Sequence, residues 1–395
     1  MTAALKPATL TLDEAGSQSL ASGTVGAALL AIERALNGGG DWATARLLIK
    51  QATAGRVDAA AHTGLYYGAP AIAFMLHTAT ATATATADGR ERYPAARQAL
   101  DQHVRRLTRQ RLAAAEERIS HGRPATFAEY DLFYGLVGIG ALLLHQAPGS
   151  DELGGLLRCV VRLTEPRRHD GLHVPGWWVD HDPDPILPTP GGHANAGMAH
   201  GAAGLLALLA HAIRQGRQVD GQTEAIGRLC AWFDQWRQDS PHGPWWPQWI
   251  TRDQLRTGRP THDGPDRPSW CYGAAGIARA QQLAAIAIND RARQAAAEET
   301  LAACLTGPQM DRITDMGICH GLAGLYQTAF RAAADAENPS IARRLPRLAE
   351  RLSASAHDHD RDGFLTGRPG IALALETIRT GEPPHTRWDV CLLIT

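Results

Sequence analysis

A short phrase, Gly-x-x-Gly followed by a run of alanine and leucine, recurs along the whole chain of 395 residues. Six copies keep both glycines, and a seventh begins at Gly68 with Ala71 in place of the second glycine. The first glycines of neighbouring copies lie between 45 residues (Gly23 to Gly68) and 72 residues (Gly201 to Gly273) apart. The shorter spacing is typical of a repeat built from two helices and two turns, so the longer spacings must carry insertions. The six intact pairs are Gly23/Gly26, Gly135/Gly138, Gly201/Gly204, Gly273/Gly276, Gly321/Gly324 and Gly367/Gly370.

The segments that follow the glycines differ from the segments between the copies. Runs such as LLALLAHAI, from Leu205, are apolar on nearly every face and predict buried helices. Segments such as Ala95–Ile119 and Arg291–Leu305 are rich in arginine and glutamate and predict amphipathic outer helices. Inner and outer helices that alternate seven times predict an all-α fold, an α/α toroid of about 14 helices. An open α-solenoid is the structural alternative, but candidate ligands scattered over several repeats favour a closed ring.

Two insertions, Glu165–Asn195 and Asp239–Pro268, are rich in proline, glycine and tryptophan, a composition that disfavours helix. Each leads directly into a repeat turn, so we expect rim loops with short strands that either pack the rim of a pocket or bind a ligand. We expect one toroid domain over residues 1–395, because repeat units need only their neighbours and escape the usual limit of about 250–300 residues for one core. The low-complexity segment Thr78–Ala87 predicts a flexible connection.

The charge balance excludes some classes of partner. A net charge of −1 gives the chain no overall basic field for nucleic acid or an anionic membrane. We expect the local cluster at Arg105, Arg106, Arg109 and Arg111 to form a solvated helix face. The sequence has neither a signal-peptide pattern at its N-terminus nor an apolar run long enough to predict a membrane span. Six cysteines in this length are not a disulfide framework, so we expect a reduced, cytoplasmic protein.

Cysteine and histidine stand directly ahead of the glycines in three copies of the repeat. Cys271 precedes one pair, Cys319 and His320 precede the next, and His200 precedes an earlier one. Because equivalent turns meet at one end of a closed ring, we predict a zinc site made by Cys271, Cys319 and His320 with an open fourth position. Thiolates and imidazole suit zinc better than magnesium or calcium. The alternative is that both cysteines are small buried hydrophobic residues.

The other candidates lack this context. We expect Asn195 to satisfy backbone groups in the turn before His200, and we assign no role to His193. The histidines and aspartates at 357–362 suggest a second metal site, but a solvated loop between helices is the more typical setting. Core packing is the expectation for the cysteines in helical patterns, and the last of the four has no pattern: Cys159, Cys230, Cys304 and Cys391.

The motifs AHGAAG (from Ala199), SWCYGAAGIA (from Ser269) and CHGLAG (from Cys319), with GLVGIG and TGRPGIALAL around them, resemble those of the lanthionine synthetase C-like family, the lanthipeptide cyclases. The resemblance extends over nearly the whole chain. It implies an α/α toroid with one catalytic zinc ion held by Cys271, Cys319 and His320. It also implies an intramolecular Michael addition, in which a cysteine thiol attacks dehydroalanine or dehydrobutyrine to form a thioether ring. The substrate would be a precursor peptide that a separate dehydratase has already modified.

The same resemblance implies roles for four residues near the zinc. His200 is the candidate acid or base, since imidazole transfers protons near neutral pH, and Asp131 would orient it or accept a proton. Arg267 would stabilise the enolate oxygen, and Tyr272 occupies a further pocket position. The structural alternatives are a helix cap for the aspartate, packing for the tyrosine, and an ion pair with a nearby aspartate for the arginine.

Two other functions remain open from the sequence. One is a different zinc enzyme that alkylates thiols, similar to a protein prenyltransferase β subunit or a glutathione-adding member of the same family. The other is a zinc-stabilised scaffold that binds peptide without catalysis. Glycoside hydrolases also use α/α toroids, but they need paired carboxylates, and Asp131 has no evident partner in the sequence. Turnover of a dehydrated peptide without added thiol would favour the cyclase.

Overall fold

The computed structural model describes residues 16–80, 92–184, 186–261, 264–355 and 362–395. Seven helices follow the repeat glycines and form an inner layer: Thr24–Leu36, Ala69–Thr78, Leu136–Gln146, Ala202–Arg214, Ala274–Ile288, Leu322–Asp335 and Arg368–Thr380. Six more form an outer layer: Trp42–Ala52, Pro94–Ser120, Asp151–Leu163, Gln222–Trp236, Arg291–Cys304 and Leu345–Ser355. Shorter helices, some of them 3-10, are Phe127–Tyr130, Arg252–Thr257, Gly307–Met310, Ala342–Arg344 and Trp388–Leu392.

The inner helices close into a ring. Each packs against the next in chain order, and the seventh (Arg368–Thr380) packs back against the first (Thr24–Leu36). Each of the six outer helices packs on the inner helix that precedes it. The predicted α/α toroid is therefore confirmed, and the open solenoid is wrong. The count of helices differs from the prediction at one point, because the chain after the seventh inner helix enters the ring instead of forming an outer helix.

The apolar pattern explains the two layers. Every residue of Ala69–Thr78 is buried, since this inner helix is covered by neighbours on all sides. In the outer helix Asp151–Leu163, Leu153, Leu156 and Val160 are buried on one face, while Ser150 caps the start by accepting the N–H of Leu153. Burial of one apolar face against the inner layer fixes such a helix in place.

A belt of backbone hydrogen bonds joins the seven repeat turns at one end of the ring. The residue two positions before each first glycine takes part in it, and each turn bonds to the next until the seventh returns to the first. Equivalent sequence positions are therefore neighbours in space. The N–H to C=O links run Leu20 to Tyr66, Tyr66 to Phe133, Leu132 to Ala199, Ala199 to Cys271, Cys271 to Cys319, Cys319 to Leu365, and Leu365 to Ala21.

The repeat glycines permit this close approach of the turns. A Cβ on Gly276 would overlap the carbonyl oxygen of Trp270 in the turn before it, and a Cβ on Gly324 would overlap that of Ile318. The copy that has Ala71 instead of a second glycine uses a different turn, in which Gly68 has φ 73°. A side chain would be strained in that conformation, so this first glycine is required for a different reason.

The two insertions contain the only strands in the described part of the chain. Within the first insertion, β1 (Arg167–His169) pairs antiparallel with β2 (Leu172–Val174). The second pair joins the two insertions, since β3 (His193–Asn195) pairs antiparallel with β4 (Trp249–Thr251). Ala196 N–H also donates to Gln248 C=O, 2.9 Å away, just beyond the pair. The expectation of a single domain over residues 1–395 stays a prediction.

Residues 385–395, here called the central segment, fill the middle of the ring. Asp389 is fully buried and receives two hydrogen bonds from the Arg331 guanidinium, at 2.6 and 2.8 Å. Glu33, in the first inner helix, accepts the backbone N–H groups of His385 and Thr386. Side chains from several inner helices thus bond to one segment, which places that segment on the ring axis.

Other expectations concern the polar surface and the unassigned segments. Arg105 and Arg109 pair with Glu152 on the outer face. Arg111 is only partly exposed, because its guanidinium donates to several backbone carbonyls, including those of Ala61 and Thr63. The connection expected at Thr78–Ala87 lies outside the described residues beyond position 80. Across the described residues, no helix is both long and apolar enough to cross a bilayer.

Candidate metal centre

Two cysteines and a histidine meet at the turn end of the ring. One ligand atom from each of Cys271, Cys319 and His320 lies within 4.8 Å of the other two. The belt explains the meeting, because the backbone N–H of Cys271 donates to the C=O of Cys319 at 3.2 Å. Within the described residues, this is the one group of three or more His, Cys, Asp or Glu side chains close enough to share an ion.

The donor set fits zinc. Zinc binds thiolate at about 2.3 Å and imidazole at about 2.0–2.1 Å in tetrahedral geometry, which places neighbouring ligand atoms roughly 3.5–4 Å apart. A single ion can therefore reach the three atoms with small side-chain adjustments. Three protein ligands leave a fourth position for a further ligand, as is typical of catalytic zinc.

The two thiols of the cluster influence each other's ionisation. The pKa of the Cys271 thiol is lowered well below its usual value, chiefly because Cys319 donates a hydrogen bond to it, while burial opposes this. The same hydrogen bond, together with burial, raises the pKa of Cys319. The hydroxyl of Ser269 lies 3.6 Å from Cys271 Sγ and also favours the thiolate. The arrangement thus favours the thiolate form of Cys271, the form in which a cysteine sulfur binds a metal ion.

A histidine–carboxylate pair lies in the neighbouring turns. His200 Nδ1 is 2.7 Å from Asp131 Oδ2, and the Asp131 side chain is 1% exposed. The other oxygen, Asp131 Oδ1, accepts the backbone N–H groups of Tyr134 at 2.7 Å and Gly135 at 2.9 Å. The aspartate therefore caps the turn, as the structural alternative expected, and also contacts the histidine. Its carboxylate keeps the proton on Nδ1 and leaves Nε2 to face other groups.

Three aromatic rings surround His200. Phe127 stacks on the imidazole with ring centroids 5.1 Å apart, Phe133 lies at 4.9 Å, and Tyr272 at 5.9 Å. Burial raises the pKa of Tyr272, which keeps its phenol protonated. Sequence reasoning singled out Tyr272 and missed both phenylalanines. Phe133 was detectable, because it stands two residues before a repeat glycine, in the same register as Cys271.

Arg267 lies near the sulfurs. Its charge lowers the pKa of Cys319, although burial and the hydrogen bond from that thiol have the larger, opposite effect. Of the two aspartates that sequence reasoning offered as its ion-pair partners, Asp266 accepts a hydrogen bond from Gln248 at 2.8 Å. Asp263 lies outside the described residues.

A further carboxylate, missed from the sequence, stands beside the histidine ligand. Asp315 Oδ2 is 3.8 Å from His320 Nε2, and Asp315 Oδ1 accepts the backbone N–H of Gly317 at 2.6 Å. The signal available was an aspartate four residues before Cys319. At 3.8 Å this contact is longer than a hydrogen bond, so the carboxylate is an electrostatic neighbour of the imidazole.

The remaining sequence candidates do not join the site as ligands. Asn195 Oδ1 accepts the backbone N–H of Gly197 at 2.8 Å, which is the turn role expected for it. His193 is buried against Phe127, and burial lowers its pKa to about 4. Of the cluster at 357–362, only Asp362 lies within the described residues, where it pairs with Arg368 at 2.9 Å. All six cysteines are free, and burial raises the pKa of the four outside the site: Cys159, Cys230, Cys304 and Cys391.

Comparison with known proteins identifies the family and supports the fold. The model of the family described as lanthionine synthetase C-like protein matches residues 14–393. The chain belongs to the lanthionine synthetase C-like family. A curated relative, the nisin biosynthesis protein NisC of Lactococcus lactis subsp. lactis, is 24% identical over 209 residues, which span 52% of this chain and about half (49%) of NisC. A solved structure named nisin cyclase has the same fold, with a TM-score of 0.80 and 21% identity over 96% of this chain and 92% of that one.

Proposed function

We propose that this protein is a zinc-dependent lanthipeptide cyclase that forms lanthionine or methyllanthionine rings in a dehydrated precursor peptide. The observation that carries the proposal is the position of the Cys271, Cys319 and His320 cluster in turns adjacent to the His200–Asp131 pair. The backbone N–H of Ala199, next to His200, donates to the C=O of Cys271 at 3.3 Å. The candidate ligands for a thiol-activating metal would therefore lie in a turn adjacent to a proton-transfer group.

The reaction is an isomerisation of the peptide. The sulfur of a substrate cysteine bonds to Cβ of a dehydroalanine or dehydrobutyrine, and the electron pair of the C=C bond moves onto the adjoining carbonyl oxygen as an enolate. A proton then adds to Cα, so the proton that left the thiol is balanced. Zinc bound by Cys271, Cys319 and His320 would lower the pKa of the substrate thiol, which supplies a thiolate at neutral pH.

The residues of the chain handle the proton and the developing charge. His200 holds the transferable proton at Nε2, the ring nitrogen that faces away from the carboxylate. Asp131 fixes the ring by accepting from Nδ1 and stabilises the imidazolium form. Arg267 provides a cation for the enolate oxygen, and Tyr272 packs beside the histidine ring. A separate dehydratase would supply the substrate, and a reduced cytoplasm would keep all the thiols free.

The test uses a synthetic peptide with one cysteine and one dehydroalanine, incubated with the zinc-loaded protein. Ring formation leaves the mass unchanged and removes the free thiol, so the product no longer reacts with an alkylating reagent. Cys319→Ala should lose both the zinc and the activity. His200→Ala should keep about one zinc per chain and lose about 10²–10⁴-fold in rate.

Several outcomes would contradict the proposal. A wild-type protein that binds the peptide but leaves its thiol reactive would be a scaffold. A product whose mass has increased by an added thiol such as glutathione would indicate an intermolecular alkylating enzyme. Full activity in the His200→Ala protein would remove this residue from the mechanism.

A further inference from the structure

Three large apolar side chains left in solvent belong to segments that contact residues of the candidate site. In the described part of the chain, four such residues are exposed: Leu47 by 55%, Tyr134 by 48%, Ile186 by 82% and Leu187 by 46%. Leu47 lies in the first outer helix, on the outside of the ring. The other three belong to segments that contact His200 or its partners. Exposed apolar groups that cluster at a pocket mark a contact surface more often than isolated ones do.

Tyr134 occupies a position in its repeat turn at which other turns carry site residues. The residue directly before the first glycine of each turn is at least partly exposed in all seven turns: Ser22, Tyr67, Tyr134, His200, Tyr272, His320 and Thr366. Three of these are the site residues discussed above. The Leu132 N–H to Ala199 C=O bond, 3.0 Å long, sets the turn of Tyr134 beside the turn of His200. Tyr134 and His200 thus occupy equivalent positions in adjacent turns at the same end of the ring.

The backbone of Tyr134 is fixed while its ring is free to meet a ligand. Its N–H donates to Asp131 Oδ1 at 2.7 Å, and its C=O accepts from the Arg111 guanidinium. Arg111 also bonds to the carbonyls of Ala61 and Thr63 and so ties this turn to the preceding repeat. A side chain on such a rigid support contacts a ligand with little loss of conformational entropy.

Ile186 and Leu187 lie on a loop whose first residue contacts a neighbour of His200. The loop begins at His181, whose Nε2 accepts the backbone N–H of Phe127 at 3.3 Å, and Phe127 stacks on His200. Asp182 Oδ1 closes the loop by accepting the N–H of Thr189 at 2.5 Å. Asp184 shapes its tip, because its side chain and its C=O accept the N–H groups of Ile186 and Leu187 at 2.9 Å.

We propose that Tyr134, Ile186 and Leu187 form an apolar rim that binds the side chains flanking the reacting residues of the peptide, and that Tyr134 determines which sequences are accepted. The inference rests on the proposed function. Its occupant is a peptide, because a chain that carries a thiol and an alkene to His200 must pass the rim that adjoins this residue. Apolar flanking residues would bury their surface against Tyr134, whereas serine or charged residues would gain little there.

The test measures binding apart from turnover. The His200→Ala protein is titrated with two fluorescent peptides, each with one cysteine and one dehydroalanine, flanked by leucines in one and by serines in the other. The leucine peptide should bind more tightly, and adding Tyr134→Ser should weaken it about tenfold. Tyr134→Phe should bind like the parent, and Leu47→Ser is the matched control for an exposed apolar residue remote from the site. In the active protein, Tyr134→Ser should raise KM for the leucine peptide and leave kcat unchanged.

Two results would overturn the rim. One is equal affinity of Tyr134→Ser and Leu47→Ser for the leucine peptide. The other is an unchanged affinity accompanied by conversion of a dimer to a monomer in the Ile186→Ser/Leu187→Ser protein, which would assign the surface to a second copy of the chain. Preferential binding of the leucine peptide that depends on Tyr134, without ring formation by the wild type, would support the rim and contradict the cyclase.

Discussion

The fourth inner helix, Ala202–Arg214, has a histidine near each end, and the two are held in opposite ways. His200, in the turn before the helix, is 22% exposed and paired with Asp131. His211 lies roughly 14 Å further along the helix axis, is 5% exposed, and donates a hydrogen bond to the backbone C=O of Leu393 in the central segment. The turn end of the ring keeps its polar groups accessible, whereas the interior uses them to fix one chain segment. Changes at the turn end should alter chemistry, and changes in the interior should alter stability.

The largest difference in stability between the interior and the turn end is expected from Asp389→Ala. Removal of this buried carboxylate leaves the Arg331 guanidinium, 14% exposed, without its bidentate partner. Such a loss costs about 3–5 kcal/mol of unfolding free energy, measured by urea denaturation of the metal-free protein. Cys319→Ala, at the turn end, should change that quantity by about 1 kcal/mol or less. Asp362→Ala is the matched control, since its ion pair is exposed and contributes little. Equal losses for Asp389→Ala and Asp362→Ala would contradict a structural role for the central segment.

A smaller effect on the free energy of unfolding is expected from the protonation of His211 as the pH falls. Burial is the main cause that lowers its pKa to about 3, and the nearby Arg279 and Arg214 act in the same direction. The unfolded chain, with a histidine pKa near 6.5, takes up the proton first. Stability is therefore complete above about pH 6.5 and is lost as the pH falls, by about 2 kcal/mol at pH 5. His211→Gln should lose less stability than the wild type between pH 7 and pH 5, and His173→Gln, on exposed strand β2, should behave like the wild type. Identical pH profiles for all three proteins would show that His211 does not titrate in this way.

The sequence predicted the ring and the cluster of Cys271, Cys319 and His320, because both depend on the positions of residues relative to the repeat glycines. The Gly-x-x-Gly phrase marks equivalent turns, and the belt of hydrogen bonds places residues at equivalent positions next to each other. Cys271 and Cys319 therefore meet although 48 residues separate them. The pair of His200 and Asp131 follows from the same belt, since their turns are neighbours.

The parts that were not predicted depend on contacts without a local pattern. The segment WDVCLLIT is short and apolar, and its place inside the ring is decided by long-range partners such as Arg331 and Trp270. Phe127 reaches His200 because the first insertion, through His181, holds its backbone. Arg111 belongs to a helix with few buried residues, and only the folded turns supply the carbonyls that bury it.

The smallest effect on stability is expected from a hydrogen bond that joins the turn end of the ring to the central segment. The indole N–H of Trp270, next to Cys271, donates to the C=O of Leu392 in the central segment at 3.0 Å. Trp270→Phe removes this donor and should cost about 1–2 kcal/mol of unfolding free energy. Because the bond also fixes the turn that carries Cys271, zinc affinity measured by chelator competition should fall by up to about tenfold.

Trp246→Phe is the control that separates the loss of stability from the loss of zinc affinity. Trp246, in the second insertion, makes a similar buried bond from its indole N–H to the C=O of Phe233, in the outer helix Gln222–Trp236, at 2.8 Å. Its loss should lower stability to a similar degree and leave zinc affinity unchanged. If both variants bind zinc like the wild type, the central segment stabilises the fold without positioning the ligands. If both lose affinity equally, the effect is one of general stability. Only a loss confined to Trp270→Phe would show that the interior of the ring helps to hold the Cys271 turn in place for the metal.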